Sequence, residues 1–269
     1  MRTEVASVAN NRNGVLGRDL GLPSARISSK GALVFETHAV FRALADGVPE
    51  HQIRERCLSG ALVTKSARLT RTRIWDAINW RFFSWQPADW IVADFERAAM
   101  ESSRPSRTFV GLIYLHYARR DHLTFDFVTE RLFGNWVAGR RAVRPQEVVP
   151  FAAERYGPDA LGRFRESTRR KVAGNLLSAL RDFGVLKGTA RKRIEQPVLT
   201  SATALHICRL LYEEGLRGRL LTEAADWRLF LLQSTDVTRT LASLARAGLI
   251  RFEQAGRTVI LELPQNGAH

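Results

Sequence analysis

Apolar residues along most of this chain recur every three to four positions, the spacing of one face of an α-helix. The stripe Ile74, Ile78 and Phe82 is an example, and similar stripes follow one another with short polar breaks from about Ser29 onward. A mainly helical protein is therefore predicted. The helical segments expected from this spacing are a stripe over 33–44, a short helix through 53–58, and 65–83, 88–101, 106–119, 123–138, 146–156, 163–183, 202–214, 222–232 and 234–247.

One longer pattern occurs twice, over 177–187 and again over 241–251. In each copy an amphipathic helix runs into a glycine, Gly184 or Gly248, and two aliphatic residues and a cation follow at once. Glycine takes the left-handed conformation that ends many helices, and the aliphatic pair is typical of a strand. The pattern predicts the last helix and the β-hairpin wing of a winged helix-turn-helix.

Both copies continue as hairpins in this interpretation. Residues 188–193 form a strongly basic tip in the first, and residues 254–257 form the turn in the second. The predicted fold is an N-terminal helical bundle-like domain followed by winged-helix-like units with short hairpin wings. We expect a flexible tail over 1–26, a helical bundle domain over 27–140, a linker over 139–145, a first unit over 145–199 and a second unit over 200–265.

The composition is that of an ordinary globule with an unusual charge. Of the 269 residues, 45% are hydrophobic and 25% are charged, and the formal net charge is +14. Cys57 and Cys208 lie in apolar helical patterns, which favours reduced core thiols over a disulfide. The longest apolar run, 109–118, is about half of the roughly 20 residues that cross a bilayer. We expect a cytoplasmic protein with no membrane segment and an affinity for polyanions.

No set of residues in the sequence predicts catalysis. The histidines lack metal-site spacing, and there is no glycine-rich phosphate loop and no GxSxG elbow. His116 and His122 are interpreted as structural or solvent-facing. We therefore expect a protein that is not an enzyme, with no catalytic residues, no metal and no cofactor.

The function that the remaining polar and cationic residues favour is the binding of nucleic acid. The last helix of each predicted unit would direct small polar and cationic side chains at a groove, and cations of the wings would meet phosphates. A run of charge is more often a solvated face, so the 191–193 cluster carries most of this hypothesis. The candidate DNA-binding residues are Lys65, Arg68, Arg71, Arg73, Arg170, Lys171, Asn175, Arg181, Arg191, Lys192, Arg193, Arg239, Arg246 and Arg257.

Several short motifs, in order along the chain, resemble those of the BrxA family of BREX phage-defence systems. They are Ser29-Lys30-Gly31-Ala32-Leu33, Lys65-Ser66-Ala67-Arg68, Asn175-Leu176-Leu177, Gly184-Val185-Leu186, Trp227-Arg228-Leu229-Phe230-Leu231 and Gly248-Leu249-Ile250. The resemblance covers about residues 27 to 263. It implies a non-enzymatic, mostly helical BREX component with a NusB-like N-terminal part and a capacity to bind double-stranded DNA. It also implies the system's methyltransferase, ATPase and phosphatase-like subunits as partners.

Three other functions remain open at this point. The predicted winged units are also compatible with a protein-docking adaptor that assembles BREX subunits, or with a stand-alone transcription regulator. RNA binding is less favoured, because aromatic residues such as Trp75, Trp80 and Trp85 fall at helical spacing, which is more typical of a core than of base stacking.

Overall fold

The computed structural model describes Pro23 and residues 30–256 and 258–263 of the chain. The protein is mainly helical, as predicted. Its α-helices are α1 Val34–Ala45, α2 Glu50–Ser59, α3 Arg68–Phe82, α4 Asp89–Met100, α5 Arg107–Arg120, α6 His122–Asp126, α7 Phe133–Val137, α8 Val148–Tyr156, α9 Asp159–Gly162, α10 Glu166–Asp182, α11 Ser201–Glu213, α12 Gly218–Thr222, α13 Asp226–Leu229 and α14 Ser234–Arg246.

Helix α5 is the central element of the core. Every residue from Phe109 to Arg119 except Val110 is buried, so that the helix has almost no solvent-exposed face. Its first turn is capped by the Ser106 hydroxyl, which accepts the Phe109 N–H at 3.0 Å. A helix that is apolar all round must be covered on all sides, which explains why the sequence shows no polar stripe here.

Helices of both chain halves cover α5. It contacts α1, α3 and α4 from the N-terminal side and α11 and α13 from the C-terminal side. Gly111 makes the approach of α11 possible, since a Cβ there would lie 2.8 Å from the Thr203 hydroxyl oxygen. The buried apolar residues form one cluster that extends from Ala32 to Leu261.

The predicted helix over 123–138 is interrupted. Between α6 and α7 the backbone forms a π-helical turn, Phe127–Leu132, whose Phe127, Val128 and Leu132 are fully buried. A π turn adds a residue to one turn and rotates the side chains that follow. Periodicity of apolar positions does not reveal this insertion, so the sequence predicted one regular helix.

The first copy of the repeated pattern ends in a three-stranded sheet. Strand β2, Leu186–Lys187, and strand β3, Lys192–Ile194, form the predicted hairpin. The interpretation of 139–145 as a linker was wrong, because strand β1, Ala142–Val143, pairs antiparallel with β3. Arg141 extends this pairing, since its carbonyl accepts the Ile194 N–H at 2.7 Å. Two of the predicted tip residues, Lys192 and Arg193, therefore lie in a strand.

The second copy forms a separate two-stranded hairpin. Strand β4, Arg251–Ala255, pairs antiparallel with β5, Thr258–Glu262. Helix α14 precedes the hairpin and contacts β4, while β5 lies against the short helix α12. The cap of α14 is Gln233, whose N–H donates to the Asp236 carboxylate at 3.2 Å, and not Ser234 as the sequence predicted. The predicted helix over 222–232 is reduced to the short α13.

Both cysteines are free thiols in the core, as predicted. Burial raises the pKa of Cys57 to about 11 and that of Cys208 to about 12. No helix among the described residues has the length and hydropathy needed to cross a bilayer.

Candidate nucleic-acid interface

The three-stranded sheet places cations from distant parts of the chain on one exposed face. Arg193 lies directly opposite Ala142 on one side and Lys187 on the other. Side chains that lie opposite each other in an antiparallel pair point to the same side, and these three are all exposed. The opposite side carries Ile194 and Leu186, which are buried in the core.

Arginines at both ends of β1 extend this exposed face. Arg140 and Arg144 flank the two-residue strand, are exposed, and line one surface depression together with Ala142. Arg191, two residues before Arg193, is exposed as well. We call Arg140, Arg144, Lys187, Arg191 and Arg193 the basic face.

Acidic side chains neutralise little of the basic face. Lys187 has an ion pair with Glu195 at 3.5 Å. Within the described part of the chain, the other four cations of this face have no ion pair. The charge there is available to an external anion.

The sequence singled out Lys192 between the two arginines, and the structure gives it a different role. Its side chain is half-buried on the other side of β3, and its ammonium donates to the Thr189 carbonyl at 2.7 Å. The bond closes the tip of the hairpin. Of the predicted cluster, Arg191 and Arg193 therefore contribute the exposed charge.

Helix α10 carries four predicted site residues, and two of them are engaged with acids. Arg170 pairs with Glu166 one turn earlier, and Arg181 bonds the neighbouring Asp182 at 2.8 Å. Lys171 is exposed, whereas Asn175 is half-buried. Because α10 contacts β2, these residues belong to the same unit as the basic face.

The cations around the start of α3 are a mixed group. Arg68 and Arg73 are exposed, and Lys65 lies 3.5 Å from the Glu36 carboxylate. Arg71 donates to the carbonyls of Leu58, Lys65 and Ser66, at 2.8, 2.5 and 2.7 Å. Arg71 therefore holds the loop between α2 and α3. The main contacts of α3 are with α2 and α5, away from the sheet.

The second unit presents fewer free cations. Arg239 on α14 pairs with Asp236 at 3.1 Å, while Arg246 is exposed. Arg257 lies outside the described residues. Arg251 at the start of β4, which was not among the predicted site residues, bonds Glu253 at 2.9 Å and Glu262 at 3.3 Å.

A chain of buried polar groups joins α4, α5 and α11. The His116 and His206 Nε2 atoms are 2.8 Å apart, and His206 Nδ1 lies 2.7 Å from the Asp94 carboxylate. Burial lowers the pKa of both imidazoles, most strongly that of His116. His116 is thus structural, as the sequence suggested.

Arg119 forms a second buried polar contact between the chain halves. Its guanidinium is fully buried and bonds the Asp226 carboxylate at 2.5 Å and that of Glu214. These groups lie inside the packed core, where they connect α5 to α11 and α13. Among the described residues there is no cluster of three or more His, Cys, Asp and Glu side chains placed to hold a metal ion.

Sequence reasoning missed Arg140 and Arg144 as members of the interface. The signal was present in the alternation of arginines at 140 and 144 around Ala142, with the apolar Val143 between. Proline and glycine at the two ends favoured a linker instead. A two-residue strand is too short for periodicity to detect, and its partner β3 lies about 50 residues further along the chain.

The fold and this surface define a class of protein: a mainly helical scaffold in which helices are followed by short hairpins, with a cation-rich face on one sheet. A solved structure of an uncharacterized protein from Magnetospirillum magneticum has a similar fold, with a TM-score of 0.57 and 14% sequence identity. The similarity covers 79% of this chain and 100% of that one. No curated protein matches the chain.

The family follows from a second comparison. The BrxA family model matches residues 24–210, and the chain belongs to the BrxA family. Membership in this family makes the protein a component of a BREX phage-defence system. The matched segment includes the sheet that carries the basic face.

Proposed function

We propose that this BrxA protein is a non-enzymatic accessory component of its BREX system that binds double-stranded DNA. The observation that carries the proposal is the basic face, on which lie four arginines that have no acidic partner among the described residues. Guanidinium groups bind phosphate oxygens through paired hydrogen bonds, and a net charge of +14 attracts a polyanion from a distance.

The two helix-and-hairpin units are, in this proposal, winged helices. The hairpins β2–β3 and β4–β5 would be wings on the phosphate backbone, and α10 and α14 would approach a groove. Lys171 and Arg246 are the exposed cations of those helices that have no acidic partner among the described residues. Because phosphate contacts outnumber groove contacts, we expect weak sequence preference.

The remaining elements fit a helper role. We propose that residues 27–140 form a NusB-like helical domain and that the units over 145–199 and 200–265 are attached to it. The protein would work in the cytoplasm beside the system's methyltransferase, ATPase and phosphatase-like subunits. No cofactor is required for phosphate contacts of this kind.

The test is a binding titration with fluorescent duplex DNA over a salt series. If about 5 phosphates are neutralised, the slope of log affinity against log salt is about −4 to −5. Single-stranded DNA and RNA of the same sequence bind more weakly. A flat salt dependence, or tighter binding of RNA than of duplex DNA, would overturn the proposal.

A docking adaptor is a second candidate, which rests on exposed apolar side chains. Phe35 on α1 is 68% exposed and Leu69 on α3 is 62% exposed, in the region where Lys65 and Glu36 pair. Large exposed side chains of this kind often mark protein interfaces. Purification from cells that express the whole system tests it. A stoichiometric BREX subunit retained in high salt, combined with no DNA binding by the pure chain, would favour this second function.

A further inference from the structure

An open pocket lies beside the basic face, where the π-helical turn, β1 and the start of α8 meet. Its volume is about 700 Å³. Ala142 belongs both to the pocket wall and to the exposed side of the sheet. The residues that matter for its chemistry are Arg131, Arg140, Arg141, Arg144, Gln146 and Glu147. We call this concavity the arginine pocket.

Two of its four guanidinium groups are held in place by the protein. Arg141 lies over the Trp136 ring at 3.5 Å and donates to the Trp136 carbonyl at 3.0 Å. Arg131 bonds Glu154 at 2.8 Å. A guanidinium stacked on an indole loses little freedom when it binds a ligand, because its plane is already fixed.

The other two guanidinium groups are exposed and have no ion pair among the described residues. They belong to Arg140 and Arg144, at the two ends of β1. Glu147 is the one carboxylate in the wall, and it accepts the backbone N–H of Arg144 at 2.8 Å. Because Arg131 is already paired with Glu154, Arg140, Arg141 and Arg144 face Glu147, and the wall has an excess of two positive charges.

This excess selects among anions. A phosphodiester inside a DNA strand carries one negative charge, whereas a phosphomonoester carries close to two at neutral pH and offers three acceptor oxygens. Guanidinium forks match such oxygens in pairs. The charge therefore favours a terminal phosphate over an internal one.

We propose that the arginine pocket binds a phosphomonoester group. The group comes either from a free nucleotide or from the 5′-phosphate at a DNA end, since both present the same chemistry. Arg140 and Arg144 close on the phosphate oxygens, and Arg141 is held in position by Trp136. The site does not require the chain to bind internal duplex DNA, so it goes beyond the function proposed above.

Isothermal titration calorimetry with deoxyadenosine 5′-monophosphate tests the free-nucleotide source, with deoxyadenosine as the probe that lacks phosphate. A DNA hairpin with a single end, carrying either a 5′-phosphate or a 5′-hydroxyl, tests the second source. Saturable binding that depends on the phosphate in either arm supports the proposal, and the arm that responds identifies the source. Equal affinities with and without phosphate in both arms would overturn it.

Variants locate the site. R140Q/R144Q should lose about tenfold or more in affinity for the phosphorylated probe, because two charge-assisted contacts disappear. R54Q/R56Q removes the same charge from exposed positions on α2 and should bind the probe like the wild type. An equal loss in both double variants would contradict the pocket. R140Q alone should give a smaller loss of affinity. It replaces the double variant in this test if circular dichroism shows that the double variant is unfolded.

The variant R191Q/R193Q separates this proposal from the duplex proposal. It removes charge from the basic face outside the pocket wall. We expect it to weaken duplex binding and to retain phosphate-dependent binding of the nucleotide or of the DNA end. If R191Q/R193Q also abolishes the phosphate-dependent binding, the phosphate is held by the sheet and not by the arginine pocket.

Discussion

The two helix-and-hairpin units begin from one local pattern and end with different surfaces. The first unit comprises α10, β2 and β3, and the second comprises α14, β4 and β5. In the first, β1 adds a strand and brings Arg140 and Arg144 beside the hairpin cations. In the second, Arg251 is occupied by Glu253 and Glu262. The same local sequence thus forms the same elements, while neighbouring segments determine whether the surface is cationic.

The two units also differ in how they attach to the central helix α5. The first packs through an aromatic contact, with the Phe183 ring centroid 5.2 Å from that of Tyr114 and 5.1 Å from that of Tyr117. The second is attached through the segment 201–230 before it, where buried polar pairs, Arg119 with Asp226 and His116 with His206, accompany a Tyr114–Phe230 ring contact at 5.5 Å. This attachment therefore contains groups that titrate in addition to apolar contacts.

The largest expected effect is the loss of the buried charged contact between α5 and the segment before the second unit. Arg119→Met deprives buried Asp226 and Glu214 of their arginine counter-charge, and we expect a loss of about 3–5 kcal/mol in the free energy of unfolding. Urea denaturation measures it. Arg97→Met removes an exposed arginine from its ion pair with Asp94, which keeps His206 and Arg209 as partners, and should cost less than about 1 kcal/mol. Equal losses in the two variants would show that burial of the pair is irrelevant.

Next in size is the effect of surface charge on duplex binding. R191E/R193E should weaken duplex binding about 10- to 100-fold at moderate salt, because it reverses two cations that have no acidic partner among the described residues. R246E/R251E makes the same change of charge in the second unit, where Arg251 is already paired, and should weaken binding only about threefold. The comparison between units fails if the second variant is the more damaging one.

The two hairpin tips provide a smaller and purely structural contrast. Gly188 and Gly256 both have positive φ, of 96° and 58°. At Gly188 a Cβ would lie 2.2 Å from the Arg191 carbonyl oxygen, whereas at Gly256 it would have no described atom within 4 Å. We expect Gly188→Ala to cost about 2–3 kcal/mol and Gly256→Ala about 1 kcal/mol, as read by thermal unfolding. Similar costs would mean that the first tip rearranges freely.

The smallest expected effect is a change in how stability depends on pH. Burial keeps the pKa of His116 well below its ordinary value, so the unfolded chain takes up this proton first and acidification from pH 7 to pH 5 lowers the free energy of unfolding. Asp121 acts in the opposite direction, because burial raises its pKa to about 6 and the folded chain takes up that proton first.

Two variants separate these contributions when the free energy of unfolding is measured by urea denaturation at both pH values. His116→Asn should reduce the loss of stability between pH 7 and pH 5. Asp121→Asn should increase it, because the opposing group is gone. A pH dependence that neither substitution changes would place the titrating groups elsewhere.

The helices were largely predictable from the sequence because their stripes depend on local spacing. The segments 88–101 and 106–119 were predicted within one residue at each end of α4 and α5. The π turn at Phe127–Leu132 and the strand β1 were not predictable, since each depends on packing against distant residues. The candidate site was also only partly predictable. Arg191 and Arg193 were predicted from a run of charged residues, whereas Arg140 and Arg144 were not predicted.

Local pattern and composition were thus sufficient for the helical class, the two helix–glycine–strand repeats and the overall positive charge, because these depend on neighbouring residues or on sums over the chain. The tertiary structure determines which cations have no acidic partner among the described residues. Arg71 was drawn into a loop, Arg239 into an ion pair and Arg119 into the core, whereas pairing of β1 with β3 assembled the basic face. Some of these partners are near in sequence, such as Asp236 for Arg239, and others are far apart, such as β3 for β1; in each case only the positions of the residues in space determine which of them meet.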